Sequence, residues 1–549
     1  MGPASPAAAP ADASVGAFSD DAPWLVQPDR MSWRAGVDTL RARSRAEVPR
    51  LLATKAVPPG LRIATVGARL AVAIGGWYWL DRPKGASASR SGLSRRLRRA
   101  FERLGPTYIK LGQIISSGEG IFPTELVSEF RLLRDRVPPE PFDVVRRTVE
   151  DDLGRSLESV FRRFDREPLA AASIAQVHSA RLHSGEEVVV KVQRPRVSAL
   201  VRRDLAAMSR IAPLLVGRIP VTALANPPAL VEVFAETIAE ELDFRLEAQN
   251  MLDVAHVLAT TGSTALVVPR PHPQMVTKRV LVMERLNGFS WDDVTGMHAA
   301  GIDTSAVVRA GMVSFMEGAM LFGVFHGDLH GGNLMVQADG RVALLDYGIT
   351  GRLEESRRLA FLRLLIGGSV RDVRMQVEAL CALGALPPDT DIAAVIADLG
   401  LDKPPIDPMQ MTPDQLTAEI RDLTKALLSY GARLPKEIML FVKNLLFLDG
   451  AMATLAPDVD LLAEVAFLAQ HFSDHHGDRL ARDVGIAAGT VEFDMAELRE
   501  VMGIPAETET ITYRDVKERR ELIRRRMEER KARKTGDRGR VGLLRRSAR

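Results

Sequence analysis

A chain of 549 residues, 46% hydrophobic and 26% charged, is too long for one compact core and long enough for about three units of domain size. Its single cysteine, Cys381, excludes an intramolecular disulfide framework, a multi-thiolate metal centre and an iron–sulfur cluster. The formal charge of +3 conceals a segregation: residues 1–28 carry −3, residues 29–104 carry +12, residues 105–513 carry −16 and residues 514–549 carry +10. Basic flanks around an acidic body suit an anionic lipid surface. Neither flank has a zinc-finger or aromatic RNA-binding signature, so no nucleic acid is expected as a partner.

Residues 1–28, rich in Pro and Ala and lacking a basic start followed by an apolar run, read as a disordered tail and not as a signal peptide. A basic helical segment follows over 29–104. Within it, residues 63–80 (IATVGARLAVAIGGWYWL) approach membrane-spanning length, but Arg69 interrupts them and Gly75 and Gly76 loosen them. They read as an interfacial helix with Trp77, Tyr78 and Trp79 at headgroup level, or as a helix buried on the body. From 93 to 165 the pattern is helical, with breaks at Gly105-Pro106, Gly118, Pro123 and Pro138-Pro139. A strand-rich portion covers 159–195, and a long helical region runs to about 258. Two short β segments, 265–269 and 279–283, come next, and the remainder is amphipathic helix apart from one hairpin near 334–346. The outline is a small mixed part followed by a larger helical one.

The chemistry concentrates on two hairpins. In HGDLHGGNLMVQADGRVALLDYG, residues 326–348, Asp339-Gly340 reads as a two-residue turn between apolar runs. That turn predicts Asn333 opposite Asp346 at the open end, about 5 Å apart at Cα. One amide oxygen and one carboxylate at such a distance suit a hard divalent cation such as Mg²⁺. Asp328, between His326 and His330, is placed to act as a base or to orient a nucleophile. In the second hairpin, IAQVHSARLHSGEEVVVKV (174–192), the turn at Ser184-Gly185 predicts Lys191 opposite His178. A lysine inside an apolar strand requires an anionic partner. The acidic run EELDFRLEAQN contains Glu240, Glu241, Asp243 and Glu247, and Glu247, in phase with the following apolar stripe, is the expected partner. Ala170-Ala171-Ala172-Ser173 forms a small-residue loop whose backbone amides are expected near phosphates. Together these elements describe a nucleotide-triphosphate site.

From about residue 93 to 460 the chain resembles the UbiB/AarF/ADCK family of atypical kinases. LGPTYIKLGQ (104–113) is similar to that family's KxGQ motif through Lys110, Gly112 and Gln113. AAASIAQVH resembles its alanine-rich loop, VVVK its strand lysine, and ELDFRLEAQN its ExD element (Glu241 and Asp243) with the helix glutamate Glu247. HGDLHGGN and DYG correspond to the catalytic loop and the metal-binding motif, with Tyr347 where phenylalanine is usual. RVLVMERLNG resembles the segment joining the lobes, which implies backbone around Met283 and Glu284 at the adenine.

The resemblance implies an α+β, protein-kinase-like two-lobe fold with a helical N-terminal KxGQ extension (105–158) and extra helices in the small lobe. The small lobe would span 159–287, the large lobe 288–470, and a helical, basic tail 471–549. It implies an ATP-dependent phosphotransferase or ATPase, with ATP and Mg²⁺ as cofactors. Lys191, held by Glu247, would bind the α/β-phosphates, Asn333 and Asp346 would hold Mg²⁺, and Asp328 would serve the acceptor. Lys110 paired with Glu241 and Asp243 would cover the peptide cleft, which favours support of isoprenoid quinone or other lipid biosynthesis. Anionic membrane lipid and a prenylated quinone precursor are the expected partners. The expected location is cytoplasmic, peripheral at the inner face of the cell membrane, with one N-terminal anchor as an option. A Ser/Thr protein kinase and a non-catalytic, nucleotide-dependent lipid carrier are the alternatives. His471, His475 and His476 read as exposed helix-end residues, and 312–325 and 436–455 as core helices.

Overall fold

The computed structural model describes residues 18–19, 23–53, 60–84, 86–116, 122–133, 138–215, 227–369, 372–401, 430–432, 435–485, 510–516 and 518. Most of the 1–28 tail, Gly118 and nearly all of the basic run 514–549 lie outside these. The chain divides into two units. One takes in residues up to Ile302 with Val324–Gly351 and Met439–Asn444, and the other takes in Asp303–Gly323, Arg352–Ile438 and the chain from Leu445 on.

The first unit opens with α1 (Val37–Leu52), α2 (Leu61–Leu80), α3 (Ala86–Leu104), α4 (Pro106–Ser116) and α5 (Thr124–Phe130). Gly105, at φ +101°, turns the chain between α3 and α4, and Pro106 opens α4 without losing a helical hydrogen bond. Gly112 is closely packed: a Cβ there would meet Leu133 Cδ1 at 2.2 Å and displace that side chain. α2 buries Val66, Leu70, Ala73 and Trp77 along one stripe, and its opposite face leaves Val72 and Trp79 70% and 77% exposed. Arg62 fixes its start on the buried Asp204 at 2.6 Å. Trp77, expected at headgroup level, is instead buried and donates to Ser89 Oγ, whereas Tyr78 and Trp79 are exposed on this amphipathic helix.

After α6 (Phe142–Leu153) and α7 (Leu157–Val160) come β1 (Phe161–Phe164), β2 (Ala170–Ala171), β3 (Ala175–Leu182) and β4 (Glu187–Gln193). Next are α8 (Val197–Leu215), α9 (Pro227–Glu241) and α10 (Phe244–Thr261), then β5 (Leu266–Val267), β6 (Pro271–Val276), β7 (Val280–Glu284) and β8 (Phe289–Ser290). The larger sheet runs β1-β3-β4-β7-β6, with β2 on β3. β6 was not expected, because it begins on Pro271 and contains Pro273; at the sheet edge the missing N–H groups cost no ladder bonds. In β4, Val188, Val190 and Val192 face the core and Lys191 faces the other side.

Both predicted hairpin registers are off by one. β3–β4 pairs Val177, not His178, with Lys191. Leu182 N–H donates to Glu186 O, so the loop is His183–Gly185, with Gly185 at φ +111°. After α11 (Val294–Ala299) and β9 (Val324–His326), β10 (Leu334–Val336) and β11 (Val342–Leu344) repeat this geometry. Leu334 pairs with Leu344, and Gly340 stands at φ +87° after Ala338 and Asp339. A turn closed by a left-handed glycine adds one residue to the loop and shifts every pair. Asn333 therefore bonds across to Leu345, and Asp346 lies one residue further on.

The expected tail is also corrected. Phe18 is buried and bridges to Val268, and Val26 is fully buried. Trp24 and Trp33 donate their indole N–H groups to Pro271 O and His272 O at 3.0 and 3.2 Å. Composition hid these aromatic anchors among alanines and prolines.

The second unit contains α12 (Thr304–Glu317), α13 (Glu355–Ser369), α14 (Val373–Ala382), α15 (Ile392–Asp398), most of α16 (Lys436–Leu455) and α17 (Leu461–Val484). Leu321, Leu362, Ile366, Phe472 and Leu480 form one of its cores. α17 runs through the expected boundary at 470. His471 and His476 lie inside that helix, half-buried against Glu317, and not at an exposed helix end. α2, Thr304–Phe322 and α16 are each long and apolar enough to cross a membrane by length and composition.

Candidate active site

The long helical region predicted to run to about 258 is interrupted where Asp243 caps α10, which separates α9 from α10. Its carboxylate accepts from Arg245 N–H at 3.2 Å and from the Arg245 guanidinium at 3.0 and 2.8 Å. This corrects the expected pairing of Asp243 with Lys110. The break leaves a buried glutamate on each side: Glu241 ends α9, and Glu247 lies in the first turn of α10.

Lys191 Nζ lies 2.7 Å from Glu247 Oε1 and 3.2 Å from Asp346 Oδ2, and it rests over the Phe244 ring at 5.4 Å. Burial opposes the lysine's charge, but Asp346 and Glu247 more than offset it and its pKa is raised. Burial pushes the Glu247 carboxyl up to about 7 against the pull of Lys191. Asp346 is the open member of the trio, with 44% of its side chain exposed. Desolvation would raise its carboxyl, and Lys191 and Lys110 reverse that, to about 2. Its Oδ1 accepts from Gly348 N–H at 2.8 Å.

Lys110 Nζ lies 3.1 Å from Glu241 Oε1, and its charge also acts on Asp328 and Asp346. Burial raises the Glu241 carboxyl, with Lys110 opposing. Gln113, half-buried, lies one turn along α4. Asp328 makes an ion pair with Lys443. Burial would raise the Asp328 carboxyl, and Lys443, Lys110 and His330 instead hold it well below the usual carboxylate range. Asn333 Nδ2 donates to Asp328 O at 3.1 Å, which leaves Oδ1 as its acceptor atom. Asn333 Oδ1 and the Asp346 carboxylate are the two oxygen donors that could hold a hard cation such as Mg²⁺.

Two expected nucleotide contacts are changed. Ala170 and Ala171 pair with Val177 and Gln176, and Ala172 N–H donates to Ala175 O at 2.8 Å. Ser173 is buried. The alanine loop is thus a closed turn, braced by Arg194 Nε on Ala172 O at 3.0 Å, and the Ala172 amide is not directed at phosphate. Met283 pairs with Val189 inside the sheet. Glu284 N–H donates to Arg270 O at 2.9 Å, and the Glu284 carboxylate is buried with Ser19 and Arg270. Neither residue presents a free amide for adenine, because β7 and β6 remain paired to that point.

Residues 132–380 match the ABC1 atypical kinase-like domain, a span that contains Lys191, Glu247, Asp328, Asn333 and Asp346. The chain is 39% identical over 380 residues to an uncharacterised protein of Mycobacterium tuberculosis, covering 67% of this chain and 76% of the relative. It is 33% identical over 391 residues to the probable protein kinase UbiB of Aeromonas hydrophila, covering 70% of each. The chain belongs to the UbiB/AarF family of atypical kinases. A chloroplastic aarF domain-containing protein kinase of Arabidopsis thaliana, 33% identical over 445 residues, covers 74% of this chain and is itself covered to 82%.

Within this UbiB/AarF chain, sequence reasoning missed the roles of three residues that organise the loop carrying Asp328. Lys443 and Asn444 come from α16. Asn444 Oδ1 accepts from Leu329 N–H at 2.9 Å while its amide nitrogen donates to His326 O. His326 is buried and its pKa is lowered by burial. Its Nδ1 accepts from Asp328 N–H at 3.1 Å, so Nε2 carries the proton and donates to Asp346 O. That imidazole ties the backbone of the loop acid to the backbone of the metal-motif acid. The signal for Lys443 was a cation in an otherwise apolar helix, the same signal that singled out Lys191.

Proposed function

We propose that this protein is an ATP-dependent phosphotransferase or ATPase that works at an anionic membrane surface on, or in support of, isoprenoid lipid chemistry. The observation that carries the reading is the trio Lys191, Glu247 and Asp346, with Asp328 and Asn333 on the adjoining loop. Lys191 would bind the α/β-phosphates while Glu247 keeps it aimed. Asn333 and Asp346 would hold Mg²⁺, which when bound neutralises phosphate charge. Asp328, kept ionised by its lysines, would orient or deprotonate the acceptor hydroxyl or water. Catalysis is then mainly positioning and electrostatics.

Lys110 on Glu241 supports a small acceptor over a peptide, since a lysine from outside the kinase-like span would restrict the acceptor side. The lipid reading is supported by a cavity of about 130 Å³ lined by apolar side chains, among them Leu70, Phe101, Leu111, Phe130 and Val231. Tyr108 places a buried hydroxyl in that lining with no partner among the described residues. The aromatic end of α2 and the charge of +12 over residues 29–104 support attachment to anionic lipid.

ATP hydrolysis by wild type and Asp328→Asn, with and without anionic liposomes, tests the reading. Turnover should fall by about 10²–10⁴ in the variant. Unchanged turnover would remove Asp328 from catalysis. Vesicle binding should weaken with salt; binding that resists salt would make α2 a hydrophobic anchor. A deletion strain with an unaltered prenyl-lipid profile would remove the quinone part and leave the nucleotide site standing.

A further inference from the structure

α12 is apolar along most of its length but ends on Glu317, whose side chain is only 4% exposed. The next five residues, Gly318–Phe322, run as a π-helical turn before Gly323 reverses the chain at φ +64°. Such turns are rare and are frequently found at functional sites. From α17, His471 and His476 direct their Nε2 atoms at the same oxygen, Glu317 Oε1, at 2.9 and 3.0 Å. The ligand atoms of the three residues lie within 4.8 Å of one another. All three belong to the second unit.

One imidazole would satisfy a buried carboxylate by a hydrogen bond. Two converging on a single oxygen form a different object, a cluster of three potential metal donors. Two imidazoles and one carboxylate with an open fourth position form a recognised zinc donor set. With metal–ligand bonds of about 2.0–2.2 Å, tetrahedral geometry sets donor–donor edges of about 3.3–3.5 Å. The two Nε2–Oε1 distances fall short of that edge by only about half an ångström. Mg²⁺ and Ca²⁺ are poorly served by two nitrogens, and Cu(I) by the absence of sulfur.

We infer that Glu317, His471 and His476 form a binding site for a late first-row divalent cation, Zn²⁺ foremost, that fastens α12 to α17. His475, stacked on His471 with ring centroids 4.5 Å apart, donates its Nδ1–H to His471 O, and it is not among the three residues whose ligand atoms converge. The metal replaces a pair of hydrogen bonds with three coordinate bonds across two helices that are 154 and 159 residues apart in sequence at these contacts.

The test uses the full-length protein freed of metal by chelator and titrated with Zn²⁺ without nucleotide, with Co²⁺ as a spectroscopic probe. Wild type and Asp346→Asn should take up one equivalent and develop the visible absorption of four-coordinate Co²⁺. Glu317→Gln, which keeps the hydrogen-bonding shape, should bind at least about tenfold more weakly, and His471→Ala/His476→Ala should lose the site. Zn²⁺ should raise the thermal midpoint of wild type and not that of Glu317→Gln. Absence of saturable uptake by wild type would overturn the inference. So would uptake retained by the double histidine variant, or uptake lost in Asp346→Asn, since either would put the metal elsewhere.

Discussion

Glu241 and Glu247, on opposite sides of the break between α9 and α10, each meet a lysine, yet the two pairs differ in where the lysine comes from and what else it touches. Lys191 arrives from a strand of the sheet and is shared between Glu247 and Asp346. Lys110 arrives from α4 and meets Glu241, with the charges of Asp328 and Asp346 nearby. The first pair lies within the matched kinase-like span, whereas Lys110 lies outside it. On the proposed function, the first pair would hold a phosphate-binding cation ready, and the second places a cation from outside the kinase-like span near the acids that would serve the acceptor. Two buried ion pairs of the same kind would then prepare one side of the site and restrain the other.

Removing Lys191 should have the largest effect. Lys191→Met leaves Glu247 buried without its cation, a loss of about 3–5 kcal/mol for a broken buried pair. Urea denaturation should register it, and binding of a fluorescent ATP analogue should vanish. Lys191→Met/Glu247→Gln should regain most of the stability and none of the binding. A single variant as stable as wild type would mean that Glu247 does not depend on Lys191.

Lys110→Met separates the two pairs. Glu241 loses its cation, at about 1–3 kcal/mol, while nucleotide binding persists. If Lys110 restrains the acceptor side, γ-phosphate transfer to a peptide panel should rise above the wild-type level. Loss of nucleotide binding comparable to Lys191→Met would erase the distinction between the two lysines.

Lys443 tests the acceptor side from its other edge. Its removal takes away the cation that does most to depress the Asp328 carboxyl. In Lys443→Met that pKa should climb toward the ordinary carboxylate range, moving the acid limb of the turnover–pH profile upward. At neutral pH the rate should fall less than about tenfold, because Asp328 remains mostly ionised. An acid limb that does not move would assign it to another group.

How far these features were legible in the sequence depended on the range of the interaction. Lys191 and Glu247 could be named because a charge in an apolar alternation demands a partner and an acidic run lay further along the chain, over 240–247. The register of Lys191 could not be read, because Ser184-Gly185 and Asp339-Gly340 fit a two-residue turn as well as the three-residue loops that form. The break at Asp243 was visible as a slip in phase, but its cap and its Arg245 clamp were not, so Asp243 was placed with Lys110. Lys443 was absorbed into the apolar stripe of α16. Glu317 and the two histidines meet across more than 150 residues, a distance at which no local pattern reports contact.

The smallest expected effect concerns acid stability at the open end of the trio. The Asp346 carboxyl is depressed in the folded protein to about 2 and returns to an ordinary aspartate value on unfolding. A depressed carboxyl contributes stability that is present above the unfolded pKa and is lost as pH falls through the folded one. Between pH 5 and pH 2 the wild-type urea midpoint should therefore fall more steeply than that of Asp346→Asn, and the gap between them should close. Since 44% of the Asp346 side chain is exposed, solvent screens the effect, and it should be much smaller than the loss in Lys191→Met. Parallel pH curves for the two proteins would mean that Lys191 is held by Glu247 alone, and that Asp346 is free to meet a cation without first giving up the lysine.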